Sequence, residues 1–191
     1  MNRCSWASKN ALMIAYHDTE WGVPVHDEFR LFEYLTLEGA QAGLSWMTIL
    51  AKRKEYRKAF LAFDPYRISE FGEETISELL NNKGIVRNKA KIFSVVQNAR
   101  MLIAVVEEYG SFDSFIWNFV KNKPVTNVFE NSKDIPAFTS QSQHISEELK
   151  RRGFKFVGPT ITYSFMQAAG LVNDHVTSCF RHEEISENVY Y

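Results

Sequence analysis

The segment Leu35–Leu50, with the sequence LTLEGAQAGLSWMTIL, contains the end of one predicted helix and the start of the next. The first helix is predicted to begin near Asp27, because apolar residues recur from there at helical spacing. Ser45 is expected to be the N-cap of the following helix. Between the two helices lies the run GAQAG at residues 39–43, whose small side chains let a ligand approach the backbone closely. The segment therefore predicts two helices that meet at a narrow corner.

One acidic residue, Glu38, lies in this segment among Leu35, Leu37 and Leu44. Burying a carboxylate in such surroundings costs free energy unless the carboxylate is paired. Glu38 therefore either points into solvent at the helix corner or faces a site that receives a ligand. The segment alone leaves both interpretations open.

The chain has 191 residues, enough for one substantial domain with its own core. No apolar run is long enough to span a bilayer or to act as a signal peptide, so a cytoplasmic protein is expected. The net charge of −1 argues against a general polyanion binder. The basic residues are nevertheless clustered, at residues 52–58, 83–91 and 150–155. Each cluster is either a local phosphate-binding face or an ordinary solvated helix face.

Helical periodicity dominates the chain, and no convincing strand pattern interrupts it. The stretch Lys121–Gln141 is polar, contains two prolines and is predicted to be a long surface connection. The fold class predicted from these segments is all-α. The predicted helices cover residues 11–16, 27–38, 45–63, 75–82, 88–109, 112–119, 142–152 and 160–169.

Cysteine and histidine occur together near both ends of the chain. His175 and Cys179 are four residues apart and would share a helix face, and Cys4 and His17 supply the same pair from the other end. Thiolate and imidazole together suit a tetrahedral zinc ion that would join the chain ends. The alternative is two buried cysteines and two hydrogen-bonded histidines. The acidic residues adjoining the histidines are candidates to orient their rings: Asp18 and Asp174.

A short glycine-containing turn, residues 83–89, separates two predicted helices. Backbone N–H groups at the start of a helix can bind an anion, and Lys83, Arg87 and Lys89 add positive charge. The turn resembles a helix-hairpin-helix with Gly84 as its glycine, although Val86 or Arg87 stands where a second glycine is usual. An ordinary helix connection is the alternative.

Four aromatic residues, Trp6, Tyr16, Trp21 and Trp46, complete the set of candidate site residues. Aromatic side chains are most often core residues. Together with Glu38 they would also suit a box for a flat cationic ligand.

Several sequence motifs of the chain resemble those of the bacterial 3-methyladenine DNA glycosylase I family. The resemblance extends over nearly the whole chain and is weakest in residues 122–143 and after Cys179. The matching motifs are RC (3–4) with Trp6, AYHD (15–18), EWGVP (20–24), LEG (37–39), QAGLSW (41–46), RRGFKFVG (151–158), YSFMQA (163–168) and GLVNDH (170–175).

The resemblance implies a helix-hairpin-helix DNA glycosylase fold with one structural zinc ion. It implies one domain, residues 1–191, with approximate lobes at 28–120 and at 1–27 plus 142–191. Related hairpin glycosylases use an aspartate after the hairpin, and this family lacks it. Asp113 is the nearest candidate here and lies in a different context. The implied zinc ligands are Cys4, His17, His175 and Cys179, and the implied base pocket consists of Trp6, Tyr16, Trp21, Glu38, Trp46 and Ser164.

The implied activity is hydrolytic removal of cationic 3-methyladenine from double-stranded DNA by a monomeric enzyme, with the free base as product. The nucleotide must leave the duplex, and Glu38 is the expected base-recognition and catalytic residue. The expected DNA contacts are a loop that fills the vacated stack, with Gln41, Gly43 and Leu44, and a hairpin that holds the backbone, with Gly84, Arg87 and Lys89. The alternatives are a non-enzymatic sensor of alkylated DNA and a broader alkylpurine glycosylase.

Overall fold

The structure is a computed structural model that describes residues 1–7 and 10–187, so the end of the predicted domain at residue 191 lies outside it. The described chain is mostly helical, which confirms the all-α prediction at that level. None of its helices is both long and apolar enough to cross a bilayer. The helices are α1 (Ala11–Thr19), α2 (Glu28–Gln41), α3 (Trp46–Ala59), α4 (Pro65–Ser69), α5 (Glu73–Asn81), α6 (Lys89–Tyr109), α7 (Phe112–Asn118), α8 (Ser140–Arg151), α9 (Pro159–Ala168) and α10 (Phe180–Glu187).

Helix α2 passes through the centre of the molecule. The Asp27 side chain caps its N-terminus by accepting a hydrogen bond from the Arg30 amide at 2.8 Å. Every residue from Leu31 to Ala40 is buried, and α2 packs against α3, α6, α7 and α9. A helix buried on all sides cannot point a residue such as Glu38 into bulk solvent.

Helix α3 begins as predicted, with the Ser45 hydroxyl accepting a hydrogen bond from the Thr48 amide at 3.2 Å. The predicted end at residue 63 is wrong, because α3 ends at Ala59 and residues 61–63 take positive φ angles. The pair Asp64-Pro65 starts a further helix, α4, that the sequence pattern did not reveal. Asp64 caps α4 and Pro65 occupies its first turn, where a missing N–H costs nothing.

Helix α6 is the longest described helix, and its predicted limits agree with the structure to within one residue. Asn88 caps it by accepting a hydrogen bond from the Lys91 amide at 3.0 Å, and Gly110 ends it with a left-handed φ of 84°. Its buried stripe includes Ile92, Val95 and Leu102.

A short parallel pair of strands was not predicted. Strand β1 (Val125–Thr126) pairs with β2 (Val172–Asn173). Two-residue strands carry no alternating pattern, so sequence periodicity cannot reveal them. The pair fixes the connection at residues 121–141 to the segment that precedes His175.

Candidate active site and metal centre

A cavity of about 380 Å³ lies between the N-terminal segment, α1, α2, α3 and α9. Contacts between α1 and α3 bring residues that are distant in sequence to its rim. All residues predicted for the base pocket line this cavity: Trp6, Tyr16, Trp21, Glu38, Trp46 and Ser164. Their binding of a base stays a prediction, and the structure provides the shared space that it requires.

Glu38 is the acidic residue of this cavity wall. It is 5% exposed, and no hydrogen bond or ion pair joins its carboxyl group to another described residue. Burial raises the pKa of Glu38 to about 8, because the low-dielectric surroundings disfavour the charged form. An isolated buried carboxyl group of this kind is poised to ionise when a cation binds beside it.

Two aromatic residues of the cavity also have polar atoms without partners. The Tyr16 hydroxyl and the Trp46 indole N–H are buried and make no hydrogen bond with the described residues. The two rings lie 5.3 Å apart at an interplanar angle of 52°, and burial raises the pKa of Tyr16. Because buried polar groups are nearly always paired, two unpaired groups in one cavity indicate that a ligand or water completes them.

The remaining wall includes residues that sequence reasoning did not assign to the site. Part of it comes from the connection at residues 121–141, which was predicted to be only a surface connection. That assignment was incomplete, because the connection folds back over the cavity through the β1–β2 pair. The additional lining residues are Met13, Ser132, Ile135, Pro136, Ala137, Thr160, Tyr163 and Gln167, and Gln41, which was predicted as a DNA contact, lines the cavity as well.

The four predicted metal ligands form a buried cluster whose donor atoms all lie within 4.8 Å of one another. The Cys179 Sγ atom lies 3.4 Å from His17 Nε2 and 3.5 Å from His175 Nδ1. The Cys4 Sγ atom lies 3.6 Å from the same His175 nitrogen. Tetrahedral zinc with sulfur and nitrogen ligands requires S···N separations of roughly 3.5 Å, given the usual bond lengths. The four side chains therefore form a group that can hold a metal ion.

The ring nitrogens that face away from the cluster are both hydrogen-bonded. His17 Nδ1 lies 2.8 Å from Asp18 Oδ1, and Arg3 in turn donates to Asp18. His175 Nε2 lies 3.0 Å from the Trp21 carbonyl oxygen. These bonds turn Nε2 of His17 and Nδ1 of His175 toward the cysteine sulfurs, where they can bind a metal ion, and the Cys4 amide also lies 3.4 Å from His17 Nε2.

The prediction that Asp174 orients a histidine is wrong. Its carboxylate accepts hydrogen bonds from the Tyr163 hydroxyl at 2.5 Å and from Gln167 Nε2 at 2.7 Å, and it also accepts one from Asn127. Asp174 thus supports the cavity wall, because Tyr163 and Gln167 line it. Adjacency in sequence misled here, because Asp174 binds α9 and Asn127 while His175 faces the cysteine sulfurs and the Trp21 carbonyl.

The predicted phosphate-binding turn lies between α5 and α6, which pack against each other. The Gly84 amide donates to Asn82 Oδ1 at 2.7 Å, so it is already paired. A Cβ atom on Gly84 would lie 2.8 Å from Glu55 Cβ, which explains the glycine by close packing against α3.

The amides of Lys89 and Ala90, in the first turn of α6, have no acceptor within the helix. Arg87 and Lys89 are exposed beside them.

The loop between α2 and α3 joins two residues that line the cavity, Gln41 and Trp46. Gly43 has a φ of 78°, a left-handed conformation that favours glycine. The next residue, Leu44, has an exposed side chain. Gln41 lines the cavity itself. The exposed side chain of Leu44 thus lies in the sequence between two residues that line the pocket.

A family model described as methyladenine glycosylase matches residues 6–182. The chain belongs to this family. It is 49% identical over 179 residues to DNA-3-methyladenine glycosylase 1 of Escherichia coli (strain K12), a match that covers 94% of this chain and 96% of that protein.

Two solved structures agree with this assignment to the methyladenine glycosylases. A crystal structure of 3-methyladenine DNA glycosylase I matches with a TM-score of 0.90 and 51% identity over 94% of this chain and 98% of that one. A structure of the Staphylococcus aureus 3-methyladenine DNA glycosylase I, which describes the basis of 3-methyladenine recognition, has a TM-score of 0.90 and 36% identity. It covers 94% of this chain and 95% of that one. The family resemblance inferred from the sequence motifs is confirmed.

Proposed function

We propose that this protein is a DNA glycosylase that removes 3-methyladenine from alkylated DNA and leaves an abasic site. Family membership and the names of its relatives support the activity. The observation that carries the proposal is the unpaired, buried carboxyl group of Glu38 in an aromatic-walled cavity. Such a wall suits a flat cation, which adenine becomes when it is methylated at N3.

Recognition of the base combines two interactions. The methylated ring gains from the electron-rich faces of Tyr16 and Trp46, about 0.5–2 kcal/mol per contact. Its amino group donates to Glu38, and a charge-assisted hydrogen bond of this kind contributes roughly 1.5–3 kcal/mol. Guanine presents the acceptor O6 at the corresponding edge, which would oppose the lone pairs of Glu38. The pocket therefore favours the adenine cation over neutral adenine and over guanine.

The charge of the substrate also reduces the demand for acid catalysis. When the C1′–N9 bond breaks, its electron pair passes to the base and neutralises the ring. A water oxygen bonds to C1′ and releases one proton, so the products are an abasic site, neutral 3-methyladenine and a proton. Glu38 binds the departing base throughout and is the catalytic residue that touches it.

Access to the base requires that the nucleotide leave the duplex. The loop at residues 41–44 is the element suited to replace it, because Leu44 is exposed and lies in the sequence between two residues that line the cavity. The turn between α5 and α6 then holds the phosphate backbone as a helix-hairpin-helix. In this arrangement the first-turn amides of α6 with Arg87 and Lys89 bind phosphate, while Gly84 permits the close packing of the turn.

The metal cluster is proposed to hold one structural zinc ion through Cys4, His17, His175 and Cys179. Buried thiol and imidazole donors at these separations fit tetrahedral zinc. The ion would fix the N-terminal segment, which carries Trp6, against the end of the chain. A closed set of four protein ligands leaves no position for a reacting water, so the bond cleavage does not involve it.

Release of free 3-methyladenine from alkylated duplex DNA tests the activity. The parent protein is expected to release it under single-turnover conditions, and Glu38→Ala to release far less. A protein that binds alkylated DNA without releasing base would instead be the sensor considered above. Release of 7-methylguanine at a comparable rate would establish the broader alkylpurine activity.

A further inference from the structure

Lys91 lies in the first turn of α6, within the basic cluster at residues 83–91, but its ammonium group is not directed into solvent. The Nζ atom donates hydrogen bonds to the carbonyl oxygens of Ala40 and Ala42, both at 2.7 Å. Burial lowers the pKa of Lys91. Two of its three N–H donors are thus committed to the α2–α3 connection, which distinguishes it from the exposed Lys89 two residues earlier.

The two carbonyl groups that Lys91 binds lie at a place where the backbone needs partners. Ala40 belongs to the last turn of α2, and Ala42 is its C-terminal cap. The last carbonyls of a helix lack intrahelical donors and carry partial negative charge, so a cation there is favourable. One lysine therefore anchors both the end of α2 and the first residues of the loop that carries Leu44.

The same residue is fixed at its backbone by the hairpin. The Asn88 side chain accepts a hydrogen bond from the Lys91 amide at 3.0 Å and caps α6. Lys91 is therefore held both at its backbone and at its side chain.

We propose that Lys91 is a positioning residue that holds the loop at residues 41–44 in its inserting conformation and couples it to the phosphate-binding turn. This inference rests on the proposed function, because it presumes that the loop enters duplex DNA. Binding of the backbone at the start of α6 would then fix the position from which Leu44 enters the stack. Lys91 itself touches neither base nor phosphate in this arrangement.

The test compares Lys91→Met, which keeps the length of the side chain and removes its donors, with Lys89→Met, which removes the same charge from an exposed position. We expect Lys91→Met to lower single-turnover excision from duplex DNA roughly tenfold or more, as the loss of charge-assisted hydrogen bonds predicts. Excision from single-stranded DNA and binding of free 3-methyladenine should stay close to the parent values. Lys89→Met should instead weaken binding to all duplexes and leave base unstacking in the bound complex intact.

Fluorescence of 2-aminopurine placed beside the lesion measures that unstacking directly. It should rise when the parent or Lys89→Met binds, and much less with Lys91→Met. In a double-mutant cycle, Lys91→Met should add little to Leu44→Ala if both act through the loop. Equal losses on single-stranded and duplex DNA, or additive effects with Leu44→Ala, would overturn the positioning role.

The proposed function fails separately from this inference. A parent protein that releases no 3-methyladenine overturns both. A parent that excises normally together with a Lys91→Met variant that excises and unstacks equally well overturns only the role of Lys91.

Discussion

Glu38 links the burial of a single carboxyl group to a pH dependence of the reaction. Its pKa of about 8 in the free protein means that most molecules carry it protonated at neutral pH. Binding of a cationic base favours the ionised form, so the reaction is favoured as the pH rises toward 8. We expect kcat/KM for excision to increase up to about pH 8 and then to level off, since this quantity reports the ionisation of the free enzyme.

The matched variant Glu38→Gln has no group to ionise at this position. Its kcat/KM should be lower than that of the parent above pH 8 and should lack the rise below it. A parent profile that is flat between pH 6 and pH 9 would contradict the assignment of this pKa to the recognition of the base.

Tyr16 and Tyr163 allow the cost of an unpaired hydroxyl to be measured within one cavity. Tyr16→Phe removes a buried hydroxyl that has no partner, so the free energy of unfolding should stay unchanged or rise by up to about 1 kcal/mol. Tyr163→Phe removes the donor to Asp174 and should lower it by roughly 1–3 kcal/mol. Denaturant unfolding compares the two. Equal losses of stability would show that Tyr16 is an ordinary paired core residue. Tyr16→Phe should nevertheless bind 3-methyladenine more weakly, because the variant lacks the hydroxyl group that the ligand is expected to complete.

Residue identity allowed much of the candidate site to be predicted from the sequence. Glu38 and the aromatic residues were predicted as site residues from their chemistry and from the motifs shared with the family, and the fold brings them to one cavity. The partners of Asp174 could not be foreseen, because the direction of a side chain in a short extended segment depends on tertiary packing. The same limitation applies to Lys91, whose charge suggested a phosphate contact and whose ammonium group binds two carbonyls.

At the scale of elements, the turn between α5 and α6 predicts a salt-dependent contribution to DNA binding. Replacing Arg87 and Lys89 by Ala should weaken binding to damaged and undamaged duplexes alike and reduce the slope of log K against log [salt] by up to about 2. Lys150→Ala, at an exposed position on α8, is a control for the loss of one charge. A loss confined to damaged DNA, or an equal effect of Lys150→Ala, would contradict phosphate binding by this turn.

Helices with a strong cap or a long apolar stripe were predictable, and the elements that depend on tertiary contacts were not. The helical periodicity of α6 gave its limits to within one residue, and the Ser45 cap gave the start of α3. The left-handed residues at 61–63 and the β1–β2 pair carry no local pattern. For this reason the connection at residues 121–141 was predicted as surface, although part of it lines the cavity.

The cluster of Cys4, His17, His175 and Cys179 predicts that the stability of the whole protein depends on a bound metal ion. Protein purified without added metal should contain about one equivalent of zinc, as one four-ligand site requires. Removal of the ion by a chelator should lower the melting temperature, because binding free energy at such a site contributes to folding. Cys179→Ser should reproduce the loss. Added zinc should restore the chelated parent and not the variant, and a metal-free parent with an unchanged melting temperature would contradict the role.

The cluster draws its ligands from opposite ends of the chain, and this has a consequence for biosynthesis. Cys4 and His17 leave the ribosome before His175 and Cys179, so the four donors cannot meet until residue 179 has been translated. Trp6 and Trp21, which lie beside His17, are held in the cavity wall by the same closure. A nascent chain that stops before residue 175 therefore lacks half of these donors, and the cavity that contains Glu38 is completed only after residue 179 has been added.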